Sequence, residues 1–165
     1  MKLSILSLAL LLIISSCNGQ TSAKDKAAAV KKAIDDAPRP GTMATTTGGW
    51  TMTATVDGKA WKAGSIMPPA AAGRIIGYFG KTNYIGLPAF EKRYAKVGSK
   101  RDFSKEQGVD ILQEGENSVY QISTGSMEIT KMNGDWAEGT FHFTLSTTDG
   151  SKKVTVTDGF LRVQL

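Results

Sequence analysis

The amino-acid sequence predicts an all-β protein: an antiparallel β sandwich or barrel of about eight or nine strands, formed by residues 50–165. Three observations carry that expectation. Apolar residues recur at every second position over several segments, the period of a half-buried strand. The turn pairs Asp57-Gly58, Asn133-Gly134 and Asp149-Gly150 stand between such segments. Glycine supplies 14 of these 116 residues, about 12%, against a usual value of about 7%. No long helical period and no internal repeat interrupts the stretch.

The elements follow in order. Trp50, Met52, Ala54 and Val56 alternate with Thr51, Thr53 and Thr55, and Asp57-Gly58 turns the chain back. Lys59 to Ile66 is the expected partner strand, ended by Pro68-Pro69. Arg74 to Phe79 and Asn83 to Phe90 are further apolar stretches, the second interrupted by Pro88. Val119 to Ser123 and Ser126 to Met132 read as two strands around Thr124-Gly125. In Trp136 to Ser146, Phe141, Phe143 and Leu145 take one face, and Thr140, His142 and Thr144 the other. Val154 and Val156, then Leu161, Val163 and Leu165, complete the pattern. Asp158-Gly159 between them predicts a bulge that resets the alternation.

The chain starts differently. Residues 1–16 hold 11 apolar residues and one charge, Lys2, and the apolar stretch Leu3–Ile14 is 12 residues long. A bilayer span needs about 20, so the segment reads as a signal peptide. Ile14-Ser15-Ser16-Cys17 resembles the bacterial lipobox, in which the Cys sulfur receives a diacylglycerol thioether before cleavage and acylation of the new amino terminus. Cys17 is the only cysteine in the chain. Two or three acyl chains hold a protein stably, whereas one gives marginal binding. Asn18 rather than Asp follows the cysteine, and no acidic cluster comes next. By resemblance to lipoprotein sorting, this favours the outer membrane and its periplasmic side over the inner membrane or the cell surface.

Residues 17–49 read as a lipidated tether. A helix is expected from Ala23 to Ala37, with a mostly Ala apolar side, either marginal alone or docked on the domain. Pro38 and Pro40 stop it, and a Thr/Gly linker runs from Gly41 to Gly49. The formal charge of +5 divides into +1 on the signal, +2 on the tether and +2 on the β domain. That is not a concentrated nucleic-acid surface. A basic tether beside an anionic membrane explains it more simply.

Most chemistry is excluded by composition or context. One His and one Cys rule out a zinc site built from several such ligands. No cofactor motif is present: Gly80-Lys81-Thr82 imitates the end of a phosphate-binding loop, but Ile75 occupies the position that needs glycine. His142 lies between Phe141 and Phe143 and therefore points away from the core, with no strained serine turn to serve. Asp110, Glu114, Glu116, Glu128, Asp135 and Glu138 are the carboxylates from which a glycosidase pair would be drawn. Glu114-Gly115-Glu116-Asn117 lacks the ligand ladder of a calcium loop.

One segment suggests a binding site. Residues 91–106 hold Lys92, Arg93, Lys96, Lys100, Arg101 and Lys105 against three acids, with Tyr94 and Phe103 among them. Their net charge is +3, that of the rest of the domain −1. Lys92, Arg93, Lys96, Lys100 and Arg101 are the expected contacts to an anionic glycan, lipid headgroup or acidic protein face.

The stretch Thr53-Ala54-Thr55-Val56-Asp57-Gly58-Lys59-Ala60-Trp61-Lys62-Ala63 resembles the opening of an uncharacterised family of Bacteroidota lipoproteins. Ser123-Thr124-Gly125-Ser126, Ile129-Thr130-Lys131, Gly139-Thr140-Phe141-His142-Phe143 and Val154-Thr155-Val156-Thr157-Asp158-Gly159-Phe160 resemble its closing strands. The likeness covers residues 50–63 and 119–165, not the middle, and implies a fold rather than an activity. The sequence thus points to a membrane-anchored envelope lipoprotein, bound to the bilayer through Cys17, that works as a noncatalytic module for an envelope protein or glycan. The alternatives are an envelope glycan hydrolase using Glu114 or Glu128, and an immunity or inhibitor protein.

Overall fold

A computed structural model describes residues 39–80, 82–113, 120 and 122–165 and, within the tether, Asp25, residues 27–30 and Lys32. The chain divides into two units, 1–34 and 35–165. In the first, the described residues are helical and Val30 is exposed. The remainder of the expected 23–37 helix lies outside the described residues.

The second unit is two antiparallel sheets facing each other across one core. Among the described residues eleven strands compose them: β1 (Met43–Ala44), β2 (Thr51–Val56), β3 (Lys59–Lys62), β4 (Ser65–Met67), β5 (Arg74–Phe79), β6 (Asn83–Pro88), β7 (Lys100–Asp102), β8 (Asp110–Leu112), β9 (Ile122–Asn133), β10 (Trp136–Ser146) and β11 (Lys153–Gln164). The five-stranded sheet has the order β1-β4-β5-β6-β8, the six-stranded sheet β3-β2-β11-β10-β9-β7. The all-β antiparallel class is as expected. The larger count comes from strands of two or three residues, too short to show a period.

The six-stranded sheet follows the alternation closely. Met52, Ala54 and Val56 of β2 face inward, as do Ala137, Phe141, Phe143 and Leu145 of β10 and Val154, Val156, Leu161 and Val163 of β11. Asp57 (φ 46°) and Gly58 (φ 77°) both adopt positive φ, as a tight hairpin turn between right-twisted strands requires. The Asp57 carboxylate also accepts from the Thr155 amide at 2.8 Å, tying the turn to β11. The bulge at Asp158-Gly159 is present: register shifts between Thr157 and Phe160 against β2, and between Phe141 and Phe143 within the β10–β11 pair.

Three expectations are corrected. Thr124-Gly125 is not a turn; it lies inside the continuous strand β9, with Gly125 opposite Phe143. A Cβ there would strike the His142 carbonyl oxygen and the Phe143 Cα, so the glycine permits close backbone approach. Lys59–Ile66 is not one strand. It changes sheets at Ala63-Gly64, where Ala63 N–H donates to Met52 O (3.0 Å) and Gly64 N–H to Tyr78 O (2.7 Å). Pro69 then opens a one-turn helix, Pro69–Ala72, closed by Gly73 at φ 66°. Finally, the stretch read as a Thr/Gly linker holds β1 and is bonded into the unit, with Thr45 Oγ1 donating to Ala63 O at 2.7 Å.

The five-stranded sheet contributes Ile66, Ile75, Ile85, Leu87 and Ile111 to the core. Phe103, just after β7, enters the same core and meets Phe143 edge-on at 6.1 Å. Burial of such side chains contributes about 1.5–3 kcal/mol each.

Candidate functional site

The basic segment 91–106 folds as a 3₁₀ turn (Lys92–Tyr94), a short loop, β7 and a further turn. Five of its six cations are matched by carboxylates. Lys92 pairs with Asp135 at 2.7 Å, Arg93 with Glu91 at 3.0 Å, Lys100 with Glu128 at 3.1 Å and Arg101 with Glu106 at 3.0 Å. Lys105 pairs with Asp102 at 3.2 Å. Arg101 also donates to Ala89 O at 2.7 Å and lies over the Phe90 ring, so it braces the loop. Among the described residues only Lys96, of the five predicted contacts, makes no ion pair. The local excess of charge in the sequence is therefore a mixed-charge surface in the fold, because Asp135 and Glu128 come from the distant β9–β10 region.

The carboxylates are placed as follows. Asp110 is held by Arg74, Glu128 by Lys100, Asp135 by Lys92, and Glu138 by Arg162 and Lys131. Glu114 and Glu116 lie outside the described residues, as does Cys17. His142 is exposed on the outer face of β10, opposite Ser126. Among the described residues no group of three or more His, Cys, Asp or Glu side chains is arranged to hold a metal ion.

The outer face of the five-stranded sheet carries an ordered cluster from the middle of the chain. Arg74 donates to both Asp110 carboxylate oxygens (2.5 and 3.4 Å) and to Gly108 O (2.7 Å). Tyr84 Oη donates to Asp110 at 3.3 Å, and its ring meets Tyr78 edge-on. Burial, then the Asp110 charge and the hydrogen bond to it, hold the Tyr84 phenol above the usual tyrosine range. Gly86 lies beneath: a Cβ there would strike Asp110 Oδ1 and Arg74 Nη2. Arg39 stacks on Tyr78 at 4.4 Å, fixing the chain's entry into the unit.

A concave site lies on the outer face of the six-stranded sheet, where sequence reasoning did not look. β2, β11 and β10 floor a groove of about 450 Å³ with Thr51, Thr53, Phe160, Arg162 and Glu138. Residues 46–48 wall it, with Lys62 also lining it. The wall is held by Thr51 Oγ1 donating to Thr46 O at 2.8 Å and by Arg162 Nη1 donating to the Gly48 carbonyl. Arg162 is further fixed by Glu138 Oε1 (3.2 Å) and by stacking on Trp136 at 4.3 Å. Hydroxyls, one ammonium, a preset guanidinium–carboxylate pair and one ring surface thus stand side by side, the combination of hydrogen-bonding groups and apolar face that a polyhydroxylated ligand would require. The only advance signal was the outward Thr51-x-Thr53 on β2 and the outward Phe160-x-Arg162 on β11. Their meeting depends on strand order, which residue spacing does not disclose.

No family model matches the chain, and no match was found among curated proteins or solved structures.

Proposed function

We propose that this chain is a membrane-anchored bacterial envelope lipoprotein, acylated at Cys17, whose β sandwich is a noncatalytic binding module for an envelope glycan or a glycan-bearing partner. The observation that carries the anchor is the single cysteine behind an aliphatic-Ser-Ser triplet and a 12-residue apolar stretch. The likeness of its strand segments to Bacteroidota lipoproteins supports the same reading. Asn18 favours the outer membrane, facing the periplasm. The 450 Å³ groove on the six-stranded sheet supports the glycan class. Glu138 serves there as a partner of Arg162 and Lys131 rather than as a free acid or base, which favours binding over hydrolysis.

Metabolic labelling with a palmitate analogue tests the anchor. The native chain incorporates label and fractionates with membranes; Cys17→Ser does neither. An unlabelled native chain would end this reading. For the module, the lipidated full chain is applied to immobilised envelope polysaccharides, and Phe160→Ala lowers retention about tenfold, the loss of one stacked ring. Equal retention of the two proteins rejects the groove.

A further inference from the structure

The loop between β6 and β7 presents two large apolar side chains to solvent. Tyr94 is 68% exposed and Val97 59%, the highest values for large apolar residues in the described part of the sandwich. Exposed apolar residues scattered singly are ordinary. These two stand three positions apart in one loop, and the backbone holds them there. Tyr94 closes the 3₁₀ turn Lys92–Tyr94, where Ala95 N–H donates to the Glu91 and Lys92 carbonyls. Ser99 N–H then donates to Lys96 O at 3.0 Å, and Gly98 has φ 84°, so Val97 and Gly98 form the corner of a tight turn. That turn is fastened to β9: Gly98 N–H donates to Ile129 O at 2.8 Å, and Ile129 N–H to Ser99 O at 3.0 Å. Lys92 on Asp135 fastens the 3₁₀ turn to the β9–β10 hairpin.

The chemistry of this tip selects a partner. Lys96 lies between the two apolar residues and, among the described residues, makes no ion pair. Arg93 stacks over the Tyr94 ring at 4.6 Å. The Arg93–Glu91 and Lys92–Asp135 pairs are about half exposed or more, so solvent screens them. Lys92, Arg93 and Lys96 against Glu91 and Asp135 leave the tip with a net charge of +1. A protein partner wants about 800 Å² on each side, far more than two side chains at a turn offer. A bilayer accepts a small insertion: tyrosine suits the headgroup layer, valine the acyl boundary, and a lysine ammonium the anionic phosphates. An existing lipid anchor makes such a contact intramolecular, so a weak one suffices. We propose that the 94–97 tip is a second membrane contact, laying Tyr94 and Val97 into the headgroup layer of an anionic bilayer with Lys96 on its phosphates. The proposal rests on the Cys17 reading only for what brings the sandwich to the membrane.

The four tyrosines provide an internal control. Tyr78 and Tyr84 pack edge-on at 6.0 Å beside the β5–β6 hairpin, at the far end of β6 from this loop. Full-length chain labelled with 3-fluorotyrosine is placed in lipid nanodiscs containing phosphatidylglycerol and a nitroxide-bearing phospholipid, and followed by fluorine NMR. Tyr94→Phe assigns the Tyr94 resonance. The nitroxide broadens Tyr94 and leaves Tyr78 and Tyr84 sharp. Val97→Asp lowers the ratio of docked to undocked tip about tenfold. Lys96→Glu, or phosphatidylcholine in place of phosphatidylglycerol, lowers it about fivefold or more. Both substituted side chains are exposed, so both variants keep the fold. The proposal is overturned if Tyr94 is no broader than Tyr78, if Val97→Asp leaves the broadening unchanged, or if the two lipids broaden Tyr94 equally. A sharp Tyr94 in discs that shifts on addition of polyglutamate overturns it too and assigns the tip to an acidic polymer. Intact mass of the same sample reads Cys17 acylation separately. A chain without acyl groups ends the anchor reading alone; its thiol is then coupled to a maleimide phospholipid, and the same tyrosine comparison decides on the tip.

Discussion

The two sheets of the sandwich are held together by different means. In the six-stranded sheet, β9, β10 and β11 are 12, 11 and 12 residues long and run side by side in long ladders, each with one register shift. In the five-stranded sheet no strand exceeds six residues, and β8 adds only three. There a side-chain clamp, Arg74 on Asp110 and Gly108, secures the β7–β8 connection against β5 and β6. One sheet is thus stabilised by repeated local pairing, the other by a few particular contacts between residues far apart in sequence. The two should fail differently when disturbed.

A pair of glycine substitutions gives the largest expected contrast. Gly125 has φ 123°, and its missing Cβ faces backbone atoms of β10 that have no room to move. Gly125→Ala should cost about 3 kcal/mol or more and lower the denaturation midpoint of the full chain severely. Gly86→Ala meets only the tips of Asp110 and Arg74, which can swing aside. It should cost about 1–2 kcal/mol. Equal losses in chemical denaturation would show that the two sheets do not differ in this way.

Asp110→Asn probes the clamp with less disturbance. The pair is about one-third exposed, at 32% for Arg74 and 38% for Asp110, so the expected loss is about 1 kcal/mol. Removing the carboxylate charge should also bring the Tyr84 phenol down towards the ordinary tyrosine value while leaving the effect of burial, which is the larger cause. In the native chain the raised value means stability is complete below pH ~10 and falls as pH rises through the Tyr84 titration. A tyrosine titration by NMR measures both; an unmoved Tyr84 would detach it from Asp110.

The smallest effect lies in the six-stranded sheet, at the turn joining β10 to β11. Asp149 accepts from Thr147 Oγ1 (2.6 Å) and from the Ser151 amide and hydroxyl, which lower its pKa to about 2. A lowered carboxylate contributes stability that is present above its unfolded value and lost as pH falls from about 4 to about 2. Carboxyl NMR titration should find Asp149 still ionised at pH 3. Protonation near pH 4 would mean the turn is open to solvent exchange of these bonds.

Legibility divided along the same line. In β2, β10 and β11 each strand buries one face and wets the other, so residue type reports position and the alternation could be read directly. β6 buries Ile85, Gly86, Leu87 and Pro88 in succession, so no period exists to read. Gly125 misled because a glycine after threonine suits a turn as well as a close approach within a strand. Among the site residues, Lys92 and Lys100 stood out within a charged run, yet their partners Asp135 and Glu128 arrive from elsewhere in the chain. The groove left almost no trace, since it gathers residues from three or more strands.

Local chemistry alone determined the class of this protein: strand periods, tight turns and the Asp158-Gly159 bulge depend on interactions within a few residues. Tertiary structure decided which strands became neighbours, and with that which charges cancel, which rings remain exposed and where concave surfaces open. Those outcomes depend on contacts between distant segments, whose energies no single stretch of the chain contains.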